Sequence, residues 1–201
     1  MEKLKPFSEV THLDERNLIF VHSDTGEPST IEEHHAEVAA IVLNPSVPDA
    51  VRSYFATIQN IYLYAWFAYD FYAVVEFLSF TAIEMALRKR LPYPGKGEDR
   101  RALRNLMDQA ISKNLIKGKS FSHIREMRKN LADYLRRYRF MGRKISTSEL
   151  PKSDYAKTLS EVMPSLRNRF AHPRGHQIMM PHEALFQLQL TAEFINQLFA
   201  P

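Results

Sequence analysis

The chain has 201 residues, 45% hydrophobic and 25% charged. That length and balance suit one globular domain, with room for an added arm, and exclude a disordered or fibrous chain. Cysteine is absent, which excludes disulfides, thiolate metal sites and a cysteine nucleophile. The net charge of +4 is unevenly placed: residues 1–50 hold 3 basic and 10 acidic side chains, whereas residues 88–144 hold 18 basic and 5 acidic. Clustered Lys and Arg mark a polyanion-binding face, because they release counterions from phosphates. The plainer account is a solvated surface balanced in space by the acidic end.

The first residues, Met1 to Pro6, lead into no apolar run, so the sequence reads as cytoplasmic, without a signal peptide. Residues 1–47 read as an amino-terminal arm or small subdomain. Within it, residues 17–22 predict a short strand, closed by the turn signal Ser23-Asp24-Thr25-Gly26. Thr30 is placed to cap a helix running to Leu43, with Glu33 at the capping-box position.

Residues 48–201 read as one helical domain. Positions 53–87 hold 11 of the chain's 23 aromatic residues and no basic residue. The uncharged run from Ser53 to Tyr69 is 17 residues and contains Gln59 and Asn60. A membrane helix needs about 20 predominantly apolar residues, so two long core helices, about 49–68 and 70–91, are expected instead, and no membrane partner. Arg88-Lys89-Arg90 suit a helix C-terminus. A third helix is expected from Glu98-Asp99, with Gly118 as its stop. Over 123–141, Ile124, Met127, Leu131, Tyr134, Leu135, Tyr138 and Met141 share one side at 3.6 residues per turn. Arg125, Arg128, Lys129, Arg136 and Arg139 gather on the other. Like charges at that spacing repel, and a phosphate backbone or an acidic partner would offset the cost. Two more helices follow, one from Asp154 to Ala171, with Ser153 as candidate cap and Pro164 inside, and one opening at Pro181. Leu185, Leu188, Ala192, Ile195 and Phe199 give the last a packing seam. The fold class is therefore all-α, a helical bundle of about five or six helices with a short amino-terminal arm.

The chemistry concentrates in Leu166-Arg167-Asn168-Arg169-Phe170-Ala171-His172-Pro173. Pro173 biases His172 out of the helix. Asn168 and His172 stand four apart, on nearly one face. Arg, Asn and His thus converge at a helix C-terminus, whose partial negative charge attracts an imidazolium. An imidazole beside a guanidinium suits phosphodiester chemistry: one moves a proton, the other meets charge growing on the phosphate.

An Arg-Asn-x-x-x-His motif near the end of an all-helical domain resembles the signature of the HEPN superfamily. The aromatic-rich helix pair ending in Glu84-Met85-Ala86-Leu87-Arg88, and the single helix after the motif, are similar as well. The resemblance covers about residues 48–199. It implies an up-and-down bundle and, in many members, a metal-independent endoribonuclease that acts as a homodimer with both motifs lining one cleft. There the ribose 2′-OH attacks its own phosphate and leaves a cyclic phosphate. Carried over, the catalytic residues are Arg167 as phosphate-stabilising cation, His172 as acid/base and Asn168 as orienting group. Arg125, Arg128, Lys129, Arg136, Arg139 and Arg169 are expected to contact RNA. The family includes toxins, paired with antitoxin proteins, and antiviral effectors. Other members are non-catalytic and bind nucleic acid, nucleotides or proteins, and that alternative stays open.

Plainer roles stand beside these. Arg167 is a natural partner for a buried carboxylate, and Glu76, between Val75 and Phe77, needs such a partner; it is also a candidate second layer of the site. Glu84 has Arg88 four residues on. His34-His35, His172, His176 and His182 lack dependable metal-ligand spacing, so neither a metal nor another cofactor is expected. Seven aromatics between Tyr62 and Tyr72 read as core or dimer interface.

Overall fold

Thr30 opens the first α-helix as its sequence predicts. Its hydroxyl accepts from the Glu33 N–H while the Glu33 carboxylate accepts from the Thr30 N–H, satisfying two otherwise orphaned donors. The helix, α1, spans Ile31–Ala39 and ends short of Leu43. The Gln59 amide donates to the carbonyls of Val38 and Ile41, each at 2.9 Å, tying the helix exit to the following helix.

The computed structural model describes residues 4–22, 24–93, 95–97, 99–127, 154–172 and 178–200. Six further helices follow α1: α2 (Asp49–Tyr64), α3 (Phe71–Arg90), α4 (Leu103–Ser112), α5 (residues 122–127), α6 (Tyr155–Ala171) and α7 (Pro181–Leu198). The described residues form an all-α bundle, without strands beyond one antiparallel bridge between Val21 and Pro28. The long third helix is its axis. It packs most extensively on α2 and α7, and also on α4 and α6, while α4 packs on α6. The buried residues of α3, Tyr72, Val75, Phe80, Ile83 and Leu87 among them, share one broad face, and the helix still lacks a single apolar stripe because Val74, Leu78 and Met85 lie on its other side.

The amino-terminal segment differs from its predicted strand. Residues Glu15–Ile19 form a short 3₁₀ helix, capped by the Asp14 side chain, which accepts from the Arg16 N–H. The reason is Asn17. Its amide donates to the Trp66 carbonyl at 3.0 Å, and its oxygen accepts from the Tyr72 hydroxyl at 3.1 Å. A strand would turn this buried side chain away from those groups. Asp14 adds a bond from the Tyr69 N–H, and Arg16 lies over the Tyr69 ring and pairs with Asp70 at 3.1 Å. The segment is thereby laced to the corner between α2 and α3, and Val38 and Ile41 join the common core. Of the turn predicted at 23–26, the described residues Asp24 and Thr25 are in a turn, and Gly26 takes a φ of +73° and donates to the His22 carbonyl.

Other boundaries shift for local reasons. The helix expected from Glu98-Asp99 begins at Leu103, because Asp99 faces Arg88 and Arg101 rather than helix N–H groups. Asn114, at a φ of 56°, ends α4 in place of Gly118. Gly118 has a packing role: a Cβ there would meet the Ala156 and Tyr155 nitrogens at 2.8 and 2.9 Å. Asp154 caps α6 through the Ala156 N–H, and the helix continues through Pro164. Pro181 opens α7, whose Leu188, Ala192 and Ile195 are buried as the seam predicts. In α5, Ile124 is buried and Arg125 exposed. The rest of that predicted helix, with Arg128, Lys129, Arg136 and Arg139, lies outside the described residues, as does Ser153. No described helix is long and apolar enough to cross a membrane.

Candidate functional site

The Arg-Asn-x-x-x-His segment occupies the last turns of α6. Arg167 and Asn168 are helical. His172 is the first residue off the helix, with φ −129° and ψ 66°, and its N–H closes the last turn on the Asn168 carbonyl at 3.0 Å. The departure from helical φ is what the following proline favours. Asn168, Arg169 and His172 are exposed and Arg167 is half-buried. Leu166 and Phe170 anchor the other face of the turn against the core, Phe170 with its ring 6.2 Å from that of Phe80.

Arg167 reaches across to α3. Its guanidinium lies 3.6 Å from the Glu84 carboxylate and 3.4 Å from the Asn168 side-chain oxygen. Its Nε is buried and has no hydrogen-bond partner among the described residues. Glu84 also holds Arg88, at 2.7 Å, and Arg88 continues to the Asp99 carboxylate at 3.1 Å and the Arg101 carbonyl at 2.9 Å. Arg101 closes the chain by pairing with Asp99 at 2.7 Å. The Arg101 guanidinium, with Arg88 beyond it, holds the Asp99 carboxyl down at about 2. Carboxylates thus alternate with guanidiniums from the α3–α4 connection to α6.

An open groove runs beside this chain, lined by Thr81, Glu84, Met85, Arg88 and Lys89 of α3 and by Arg167. Three cations face it against one carboxylate, so it is suited to an anion. The sequence singles out Arg167 but pairs it with Glu76. The structure pairs it with Glu84, which the sequence assigns to Arg88 alone. The missing information is which face of α3 meets α6, and a helix with apolar residues on every side does not disclose it.

Glu76 lies elsewhere on α3, 8% exposed, with Oε2 unpartnered among the described residues. Burial pushes its carboxyl up to about 7, and Glu183 of α7 adds repulsion that Arg169 partly offsets. It therefore sits within electrostatic reach of the end of the motif and the start of α7. Arg125 is exposed on α5, and the remaining predicted RNA contacts of that helix fall outside the described residues.

Among the described residues, no group of three or more His, Asp or Glu side chains is placed to hold a metal ion. His34 is buried, stacked on Tyr62 with ring centroids 4.4 Å apart, and its Nε2 bonds to the Tyr62 carbonyl. Most aromatics of the run serve as core: Tyr62, Trp66, Tyr69 and Tyr72 are buried, whereas Tyr64 and Phe71 are exposed. Comparison with family models, with characterised proteins and with solved structures finds no match for this chain.

Proposed function

We propose that this chain is a metal-independent endoribonuclease of HEPN type, cleaving RNA where two copies of the α6 terminus meet. The observation that carries the reading is the arrangement at that terminus. A half-buried guanidinium is held at 3.6 Å by Glu84 and 3.4 Å by Asn168, one and a half turns before an exposed imidazole at the helix cap. The neighbouring groove is cationic. The reaction this serves is transesterification. The 2′-oxygen forms a bond to the adjacent phosphorus as the bond from phosphorus to the 5′-oxygen breaks. One His172 takes the 2′-OH proton, the symmetry-related His172 protonates the departing 5′-oxygen, and Arg167 stabilises the charge on the phosphorane. A cytoplasmic role as a toxin held by an antitoxin protein, or in antiviral defence, follows from the same reading.

The test is incubation of single-stranded RNA with the protein in excess chelator, beside His172→Ala. Cleavage by the wild type and its loss in the variant are expected; equal cleavage by both removes the proposal.

One observation favours a second reading, a non-catalytic module that binds nucleic acid, a nucleotide or a protein: Glu84 and Asn168 already engage Arg167 within its own chain. That reading expects salt-dependent RNA binding without cut product, weakened by charge reversal at Arg128 and Arg136.

A further inference from the structure

The molecule holds a second concavity, at the opposite end of α3. Tyr72 lines it and Glu84 lines the Arg167 groove, twelve residues on, or about 18 Å along the helix axis. This cleft lies between the amino-terminal segment, α1, the end of α2, α3 and the start of α7, and its volume is about 140 Å³. An apolar cavity of about 150 Å³ is enough to admit benzene. The space is therefore of the size of one six-membered ring.

The walls are aromatic: Tyr62, Trp66, Tyr72 and the His34 ring all line the space. The deep polar groups are already satisfied. Asn17 donates to backbone carbonyls and accepts from Tyr72, and the His34 Nε2 donates to the Tyr62 carbonyl. Burial pushes the His34 imidazole down from its ordinary value, against the pull of the Tyr62 carbonyl. The anionic group of the lining is Glu37, close enough to Tyr62 and Tyr72 to add to the upward push that burial gives both phenols. Burial and Glu33 raise the Glu37 carboxyl, and His22 draws it partly back. No Lys or Arg is among the described lining residues. Ring faces attract cations, and a carboxylate beside them selects a cation over a neutral molecule. The Arg167 groove, lined by three cations and one carboxylate, has the opposite balance.

We infer that the cleft binds a small monocyclic aromatic cation, an aryl amidinium or a protonated heteroaryl amine, with its ring against Trp66 and its charge on Glu37. The inference is independent of the nuclease proposal.

Trp66 is the chain's single tryptophan and forms part of the wall, so its emission reports occupancy. The full chain is titrated with benzamidine and, separately, with benzyl alcohol as the neutral counterpart, each followed by Trp66 fluorescence and by calorimetry. Saturable binding of benzamidine is expected, at least tenfold tighter than benzyl alcohol. Glu37→Gln should remove that tenfold preference. Ser29→Phe, at a half-buried lining position, should abolish binding of both while the melting temperature shows an intact fold. Absence of saturable benzamidine binding, equal affinity for the two probes, or undiminished binding in Ser29→Phe would each overturn the inference.

Discussion

Burial brings Glu76 to titrate near neutrality, and the consequence for stability has a definite sign. Its folded pKa, about 7, lies above the ordinary 4.5. Between those values the native state holds the proton more tightly than the unfolded chain does. Stability from this group is therefore complete at low pH, falls as pH rises from about 4.5 to 7, and is level above that. Glu76→Gln should leave stability at pH 4.5 nearly unchanged and raise it at pH 8 by about 2 kcal/mol. Denaturant titrations at the two pH values check this; an equal effect at both would show that Glu76 is not buried as charge. Glu84 makes a different prediction. It fixes Arg167 from α3, so Glu84→Gln should lower RNA cleavage about tenfold, ~1.4 kcal/mol in the barrier, while RNA affinity does not fall. A purely structural ion pair would shift the melting temperature and leave turnover per folded molecule unchanged. The two carboxylates also show what sequence discloses. Val75 and Phe77 on either side make the burial of Glu76 legible. The Arg167–Glu84 contact joins two helices 83 positions apart in the chain, and no local pattern encodes it.

At the level of elements, end signals were readable because their physics is local. The Thr30–Glu33 box, Pro181 at the start of α7 and the exit of His172 before Pro173 all depend on residues within four positions of each other. The 3₁₀ segment was not readable, because its conformation depends on Asn17 meeting Trp66 and Tyr72 about fifty residues away. The same contacts predict how the segment is held. The Arg16 side chain, the Tyr69 N–H and the Arg16 N–H draw the Asp14 carboxyl down to about 2. Its contribution is thus present above about pH 3.8 and lost as pH falls towards 2. Asp14→Ala should destabilise the protein by about 2 kcal/mol at pH 7, and by much less at pH 2. Thermal melts at both pH values measure the difference. A cost that does not change with pH would mean that the segment docks by packing alone.

At the level of the whole molecule, the described residues of the bundle shape an aromatic cleft at one end of α3 and a cationic groove towards the other. The all-α class was legible throughout from apolar spacing and from the scarcity of strand signals. The placement of the concavities was not, since each is assembled from helices distant in sequence. The basic segment at 88–144 gives the molecule its excess positive charge, and RNA is the polyanion the nuclease account assigns to it. The most direct measurement is the chemistry of the cut ends. The protein, in chelator, is given one oligonucleotide as RNA and as its all-deoxy counterpart, and the products are weighed by mass spectrometry. The account predicts RNA fragments ending in 2′,3′-cyclic phosphate, with the deoxy strand intact. Cleavage of both strands, or RNA fragments with 3′-hydroxyl and 5′-phosphate ends, would contradict it.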